Sequence, residues 1–342
     1  MSGNSILNKA KYSENTDEWY TDYKTVEEEI SHYATQFYGK VVLCNCDDPY
    51  ESAFSKYFLK NYNILKLKKL ICTSYKGSRI LEGSIIKDSE NTKINNQSAY
   101  VMIVNGSFSN SPNEIEDKDI EALLNTKGVV NKLKGDGDFR SQECVEYLKE
   151  ADIIVTNPPF SKFAELFSLI VKYKKKYLLI GNQNAITYKE IFPYIKNGAA
   201  WIGHRFGDMA FKVPEDTQPR KTRFWIDENG QKWRSLGNAM WLTNLDNNRR
   251  HKLLELTAVY ESSKYPKYDN YDAINVSRVK DIPKDFCGVM GVPLTYLKYH
   301  NDKQFEIIGE ANHGSDNEFD LFKPTIGGKE IFKRILIKSK GL

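Results

Sequence analysis

The chain has 342 residues, 40% of them hydrophobic, a mass of 39.5 kDa and a formal net charge of +4. That suits one large α/β domain or a core domain plus a smaller module, and no run approaches the roughly 18 apolar residues of a membrane span. Met1 to Lys11 is polar and lacks the apolar stretch of a secretory leader, and the odd cysteine set Cys44, Cys46, Cys72, Cys144 and Cys287 lacks metal-ligand spacing, so a cytoplasmic protein with buried, reduced thiols is expected.

Val26, Ile30, Tyr33 and Phe37 recur at three- and four-residue steps and predict a helix over 25–38. The run Val41-Val42-Leu43 predicts a buried strand leading into Asp47-Asp48-Pro49, and Phe54, Tyr57 and Phe58 stripe the helix after it. Leu67 to Thr73 predicts a second strand. Residues 75–105 are rich in Gly, Ser and Asn around two short apolar runs, Ile85-Ile86 and Val101 to Val104. They predict an inserted hairpin with a mobile tip near 88–97. An acidic helix at 113–125 follows, then a turn at Gly135-Asp136-Gly137-Asp138-Phe139 and a short helix at 141–150. A strand over 152–156 delivers Asn157-Pro158-Pro159-Phe160. Phe163, Leu166, Phe167 and Ile170 then stripe a helix, and Tyr177 to Ile180 supply another buried strand.

This alternation of helices with short all-apolar strands predicts an α/β fold with a doubly wound, mostly parallel sheet, Rossmann-like. Beyond residue 200 the pattern changes to longer, aromatic-rich strands with Gly/Pro turns. The expected division is an N-terminal helical segment (1–40), a catalytic domain (41–245) and a C-terminal recognition region (246–342).

The turn at Asn157 carries the chemistry. It follows Ile153-Ile154-Val155, and the carboxyl ends of parallel strands are where open α/β sheets bind ligands. The Asn157 side-chain carbonyl and the Pro158 backbone carbonyl can each accept a hydrogen from an exocyclic amine. Pro158 and Pro159 fix the turn, each locking its own φ and restricting the residue before it. Phe160 offers a flat face for a nucleobase. The pattern suits methylation of a base amino group, with S-adenosylmethionine as the general methyl donor.

The first strand's loop, Asp47 to Phe54, lacks the glycines such loops usually carry, and no dinucleotide fingerprint or phosphate-cradling loop is present. Asp47 and Asp48 can bind the donor's ammonium or ribose, or cap the following helix. Asp138 and Phe139 are placed to hydrogen-bond an adenine amine and pack its ring, or simply to form a turn. Thr21 reads as a cap or a cofactor contact, and Tyr20 as core or contact. No metal is implied: His32, His204, His251, His300 and His313 show no ligand spacing.

Charge is unevenly placed. Residues 1–199 carry 26 basic and 26 acidic side chains, whereas 200–342 carry 23 and 19, so the whole excess lies in the later part. Within 217–252, Arg220, Lys221, Arg223, Arg234, Arg249 and Arg250 interleave with Phe224, Trp225, Trp233 and Trp241. Such a stretch can track phosphates and wedge bases, which favours a nucleic-acid substrate over a protein.

Taken together, these residues resemble the EcoRI-type adenine-specific DNA methyltransferases. The likeness rests on Asp17-Glu18-Trp19-Tyr20-Thr21, Cys44-Asn45-Cys46-Asp47-Asp48-Pro49, Gly137-Asp138-Phe139-Arg140 and the Asn157 to Phe160 turn. It continues through Gly237-Asn238-Ala239-Met240-Trp241-Leu242-Thr243-Asn244 and Gly288-Val289-Met290-Gly291-Val292-Pro293. The resemblance implies that Tyr20, Thr21, Asp47, Asp48, Pro49, Asp138 and Phe139 line the S-adenosylmethionine pocket, which the 1–40 segment closes. It further implies a monomer acting on double-stranded DNA, either in a restriction-modification system, with a cognate restriction endonuclease that forms no stable complex with it, or as an orphan or phage methylase. Two other functions share the turn: methylation of an RNA base or a protein glutamine, and DNA binding by a relative that has lost catalysis.

Overall fold

The computed structural model describes residues 20–49, 52–76, 98–106, 115–213, 215, 217–311 and 324–341. The chain divides into two compact units, one of Met1–Gln183 with Gly207–Leu245 and the other of Asn184–Phe206 with Asp246–Leu342.

The first unit opens with β1 (Tyr20–Thr21) and α1 (Tyr23–Ile30). Asp22 caps α1 by accepting from the Thr25 N–H at 3.1 Å, so Thr21 belongs to the strand and not to the cap. The expected helix over 25–38 changes to tighter 3₁₀ winding across Ser31–Phe37, yet Val26, Ile30, Tyr33 and Phe37 are all fully buried. Next come β2 (Val41–Asn45), α2 (Ala53–Lys60), β3 (Lys69–Thr73), β4 (Tyr100–Asn105), α3 (Asp117–Leu124) and β5 (Val130–Lys132). Then follow α4 (Gln142–Glu150), β6 (Ile153–Thr156), α5 (Phe163–Lys172), β7 (Lys176–Asn182), β8 (Trp201–Lys212), β9 (Phe224–Ile226) and β10 (Lys232–Thr243).

These strands form a ten-stranded sheet in the order β1-β8-β10-β7-β6-β2-β3-β4-β5, with β9 paired to β10. Its centre, β7-β6-β2-β3, is parallel. Every residue of β2 and β6 is buried, as a strand covered on both faces requires. Antiparallel strands flank the centre: β4 and β5 beyond β3, and β10 beyond β7. The expected α/β fold is therefore present, with its parallel sheet as the middle of a wider mixed one.

Residues 77–97 lie outside the described residues, and with them Ile85-Ile86 and the expected hairpin tip. The second apolar run of that segment, Val101 to Val104, is part of β4, a full member of the main sheet rather than one arm of an insertion. Pairing with β3 from Lys69↔Asn105 to Thr73↔Val101 fixes its register.

The second unit contains α6 (Phe192–Lys196) and a four-stranded sheet in the order β11-β12-β16-β13. Its strands are β11 (Ile274–Asn275), β12 (Val289–Val292), β13 (Phe305–Ala311) and β16 (Arg334–Ser339). β14 (Thr325–Ile326) and β15 (Lys329–Glu330) pair apart from it. Met290, Val292, Tyr296, Ile335, Leu336 and Ile337 are buried in this unit. Among the described residues no helix is long and apolar enough to cross a membrane.

Candidate active site

From β2 the parallel strands extend to β3 on one side, and from β6 to β7 on the other. The strand order thus reverses between β2 and β6, and the crevice outside their carboxyl ends is where an open α/β sheet binds its ligand. Cys46-Asp47-Asp48-Pro49 leaves the end of β2, turning at Cys46 with φ +70°, and Asn157-Pro158-Pro159-Phe160 leaves the end of β6. Residues over a hundred positions apart in the chain meet here.

Asp47 joins them. It is 5% exposed, and its carboxyl oxygens lie 2.8 Å from the Ser52 hydroxyl and 2.6 Å from the Thr156 hydroxyl. The Asn157 backbone N–H also donates to this group, and the Asp47 N–H donates to the Thr73 carbonyl at 3.0 Å, tying in β3. Burial pushes the Asp47 carboxyl up to about 7; the Thr156 and Ser52 hydrogen bonds oppose the rise, and the neighbouring Asp48 charge adds to it. Asp48 and Pro49 are buried beside it. The cap of α2 is Ser52, whose hydroxyl oxygen accepts from the Phe54 N–H, so the capping role open to Asp48 is taken by another residue.

Pro158 is buried, and Asn157, Pro159 and Phe160 are half-buried, with the Asn157 Oδ1 atom itself withdrawn from solvent. Phe160 opens a short 3₁₀ turn to Lys162 that runs into α5. Its ring stands edge-on to Phe211, with centroids 6.3 Å apart. Phe211 pairs with Thr21 and Lys212 with Tyr20, so β8 carries the Tyr20-Thr21 pair to the side of the turn. Thr21 is buried, and its hydroxyl has no hydrogen-bond partner among the described residues; the Asn45 side-chain oxygen at the end of β2 is in the same position.

The turn before α4 is fastened to the end of β3. The Lys76 N–H donates to the Asp136 carbonyl at 2.7 Å, and Gly137 has φ +80°, where an added Cβ would lie 2.1 Å from the Ser74 carbonyl oxygen. Phe139 is buried. The Asp138 carboxylate accepts from Arg140 Nε at 2.9 Å and Nη2 at 2.6 Å, and this guanidinium holds it below the ordinary carboxylate range. Arg140 also bonds Glu165, so Asp138 already belongs to an ion-pair network.

The basic residues separate into two groups. Arg220 and Lys221 are exposed on the segment before β9. Arg223, with φ +57°, lays its guanidinium over Gly237, and Arg234 lies on β10 opposite Phe224. Arg249 instead donates to the backbone carbonyls of His204, at 2.8 Å, and Gly203. Arg250 stacks on Trp201 at 3.6 Å from the ring centroid and pairs with Asp302 and Asp246. These last two guanidiniums are engaged within the second unit.

Ser52, Thr156, Asn45 and Phe211 were not singled out by sequence reasoning. Ser52 carried a readable signal, a helix cap one residue before an apolar stripe. Thr156 and Phe211 carried none, because their roles come from strand pairing. Among the described residues no group of three or more His, Cys, Asp or Glu side chains is placed to hold a metal ion.

Residues 6–340 match the family model described as adenine-specific methyltransferase EcoRI. The chain is 46% identical over 343 residues to the Type II methyltransferase M.EcoRI of Escherichia coli, covering 99% of this chain and 98% of that protein. It is 35% identical over 308 residues to the Type II methyltransferase M.MpnI of Mycoplasma pneumoniae, covering 88% and 84%. Transfer of a methyl group implies a methyl donor. At this identity and coverage the chain belongs to the EcoRI family of adenine-specific methyltransferases.

Proposed function

We propose that this protein transfers a methyl group to the exocyclic 6-amino group of an adenine flipped out of duplex DNA, at a specific site. It would do so as a cytoplasmic monomer, either alongside a cognate restriction endonuclease or as a solitary methylase. The observation that carries this reading is the Asn157 turn at the sheet's switch point, joined by Asp47 to the end of β2.

The adenine amine is a weak nucleophile because its lone pair is delocalised into the ring. Accepting its two hydrogens, on the Asn157 side-chain carbonyl and the Pro158 carbonyl, favours a pyramidal nitrogen aimed at the methyl group. That is positioning and electrostatics, and it requires no strong base. Base stacking hides the amine in a duplex, so the adenine leaves the helix and stacks on Phe160, whose ring Phe211 steadies from the edge.

S-adenosylmethionine supplies the methyl group when bound. The buried Thr21 hydroxyl and Asn45 side-chain oxygen, which lack partners among the described residues, fit a polar ligand of that kind. Phe139 offers an apolar face for its adenine ring, and Tyr20, Asp48, Pro49 and Asp138 are assigned to the same pocket. DNA contacts are assigned to Arg220, Lys221, Arg223 and Arg234, and the choice of site to the basic segment and the 246–342 region.

Incubation with labelled S-adenosylmethionine and genomic DNA, followed by nucleoside separation, should place label in 6-methyladenine. Label confined to RNA, protein or cytosine would reject this function. Asn157→Ala should fold and bind the donor as the parent does while losing turnover by roughly 10²–10³-fold, the scale of removing one preorganised hydrogen-bonding group.

A further inference from the structure

The acid at the end of β2 is an obvious candidate for the donor's ammonium or ribose, but its oxygens are directed inward. Ser52 and Thr156 each lie within hydrogen-bonding distance of one carboxyl oxygen, the Asn157 N–H adds a further donor, and the residue is 5% exposed. All of these partners belong to the protein. Two of them, Thr156 and Asn157, are consecutive residues at the root of the catalytic turn.

We propose that Asp47 is a positioning residue for methyl transfer, its buried carboxyl group holding Thr156 and the Asn157 main chain and so fixing where the Asn157 side-chain carbonyl stands. This rests on the reading that Asn157 accepts from the adenine amine.

The clamp has two hydrogen-bond arrangements. Thr156 has one hydroxyl hydrogen and two acceptors in reach, the Asp47 carboxyl at 2.6 Å and the Asn45 carbonyl. With Asp47 ionised, the Thr156 hydrogen goes to the carboxylate, and Ser52 and the Asn157 N–H donate as well. With Asp47 protonated, Asp47 donates to Thr156, which turns its hydrogen to Asn45, and the carboxyl group is a poorer acceptor for the Asn157 N–H. Only the ionised form grips the turn with every donor.

Burial holds this carboxyl up at about 7. Its titratable neighbours are Asp48 in the same loop and the Cys44 thiol in β2, which burial and the adjacent Cys72 push well above the ordinary thiol value, leaving it uncharged. The groups facing it from β6, from the cap of α2 and from β3 are Thr156, Asn157, Ser52 and the Thr73 carbonyl, none of which titrates in this range. The grip is complete above about 7 and weakens as the pH falls through it, so the transfer rate declines on the acid side.

Asp47→Asn reproduces the shape of the protonated form. At saturating S-adenosylmethionine, on the DNA that the parent methylates, it should lose roughly 10- to 100-fold in turnover, the scale of a misplacement of up to about 1 Å. Its affinity for S-adenosylmethionine by calorimetry should stay within about threefold of the parent, because the clamp acts on the turn and not on the donor. The parental rate should show an acid limb near pH 7 that Asp47→Asn lacks. A donor affinity lost while saturated turnover stays parental would make Asp47 a cofactor ligand and overturn the proposal, as would an unchanged acid limb in the variant.

Should Asp47→Asn fail to fold, Thr156→Val removes the hydroxyl at constant shape. It should slow turnover without weakening donor binding, and Thr156→Ser should restore the rate; parental turnover in Thr156→Val would overturn the clamp. Asn157→Ala, run alongside, separates the two levels. If it retains turnover, the reading of the turn fails and the clamp with it. If it is inactive while Asp47→Asn keeps the parental rate and pH profile, the clamp alone fails.

Discussion

Gly137 and Gly237 occupy comparable places in the sequence motifs and very different places in space. At Gly137, φ is +80° and a Cβ would meet the Ser74 backbone oxygen at 2.1 Å. Neither the left-handed conformation nor the rigid neighbour can yield, so Gly137→Ala combines a left-handed cost of about 1–2 kcal/mol with an overpacking cost of about 1–3 kcal/mol. At Gly237 the obstacle is the Arg223 guanidinium, the far end of a flexible side chain that can swing away. Gly237→Ala should therefore change stability by less than about 1 kcal/mol while displacing Arg223. Urea melts of the two variants should differ accordingly; equal losses would mean that the turn before α4 is not fastened to β3 as described. The Asn157 turn and the Asp47-Asp48 loop were legible as residues because their chemistry is local. Their junction was not, since Asp47 and Thr156 stand 109 positions apart and meet only because β2 and β6 pair.

Among the elements, the β9–β10 hairpin shows why the basic cluster could be found in the sequence but not sorted. Asp227 organises its turn, accepting from the Asn229 and Gln231 N–H groups and from Trp233 Nε1 at 2.8 Å. Trp225 stacks on Trp233 with ring planes 8° apart, and Trp225 and Ile226 remain exposed. Composition gives Arg220 and Arg249 equal weight. The fold does not, since one is exposed and the other holds the carbonyls of Gly203 and His204. Arg220→Ala and Lys221→Ala should leave the melting behaviour unchanged and weaken binding to all DNA sequences alike, lowering the salt slope by about 1 for each phosphate no longer neutralised. Arg249→Ala should destabilise the protein by roughly 1–3 kcal/mol, because two backbone carbonyls are deprived of a charged donor. Gel-shift titrations at two salt concentrations, together with melts, check both. Unchanged affinity and slope after removing the charges of Arg220, Lys221 and Arg223 together would place the DNA surface elsewhere. The strands β2, β6 and β7 were readable for a simpler reason, each being built around a short apolar run.

For the whole molecule, charge and composition change near residue 200 and the expected division falls at residue 245, whereas the compact units are interleaved in sequence. Asn184–Phe206 belongs with Asp246–Leu342, and β8 begins in one unit and ends in the other. Composition cannot show this, because 184–206 is defined by its partners and not by its residue types. Within the second unit, Asn184 accepts from Lys333, Gly198 lies against Asp302, and Trp201 lies under Arg250. Ile195, Ala200 and Ile202 are buried there. A fragment ending at Leu245 keeps every residue of the first unit but strands 184–206 without the chain that covers it. It exposes those apolar side chains and leaves the carbonyls of Gly203 and His204 without Arg249. Such a fragment should aggregate or melt broadly, well below the full chain, and adding residues 246–342 as a separate polypeptide should recover solubility in part. Light scattering and thermal melts on the purified fragment provide the measurement. A monomeric fragment with one sharp transition would show that 184–206 is stable without its C-terminal partners.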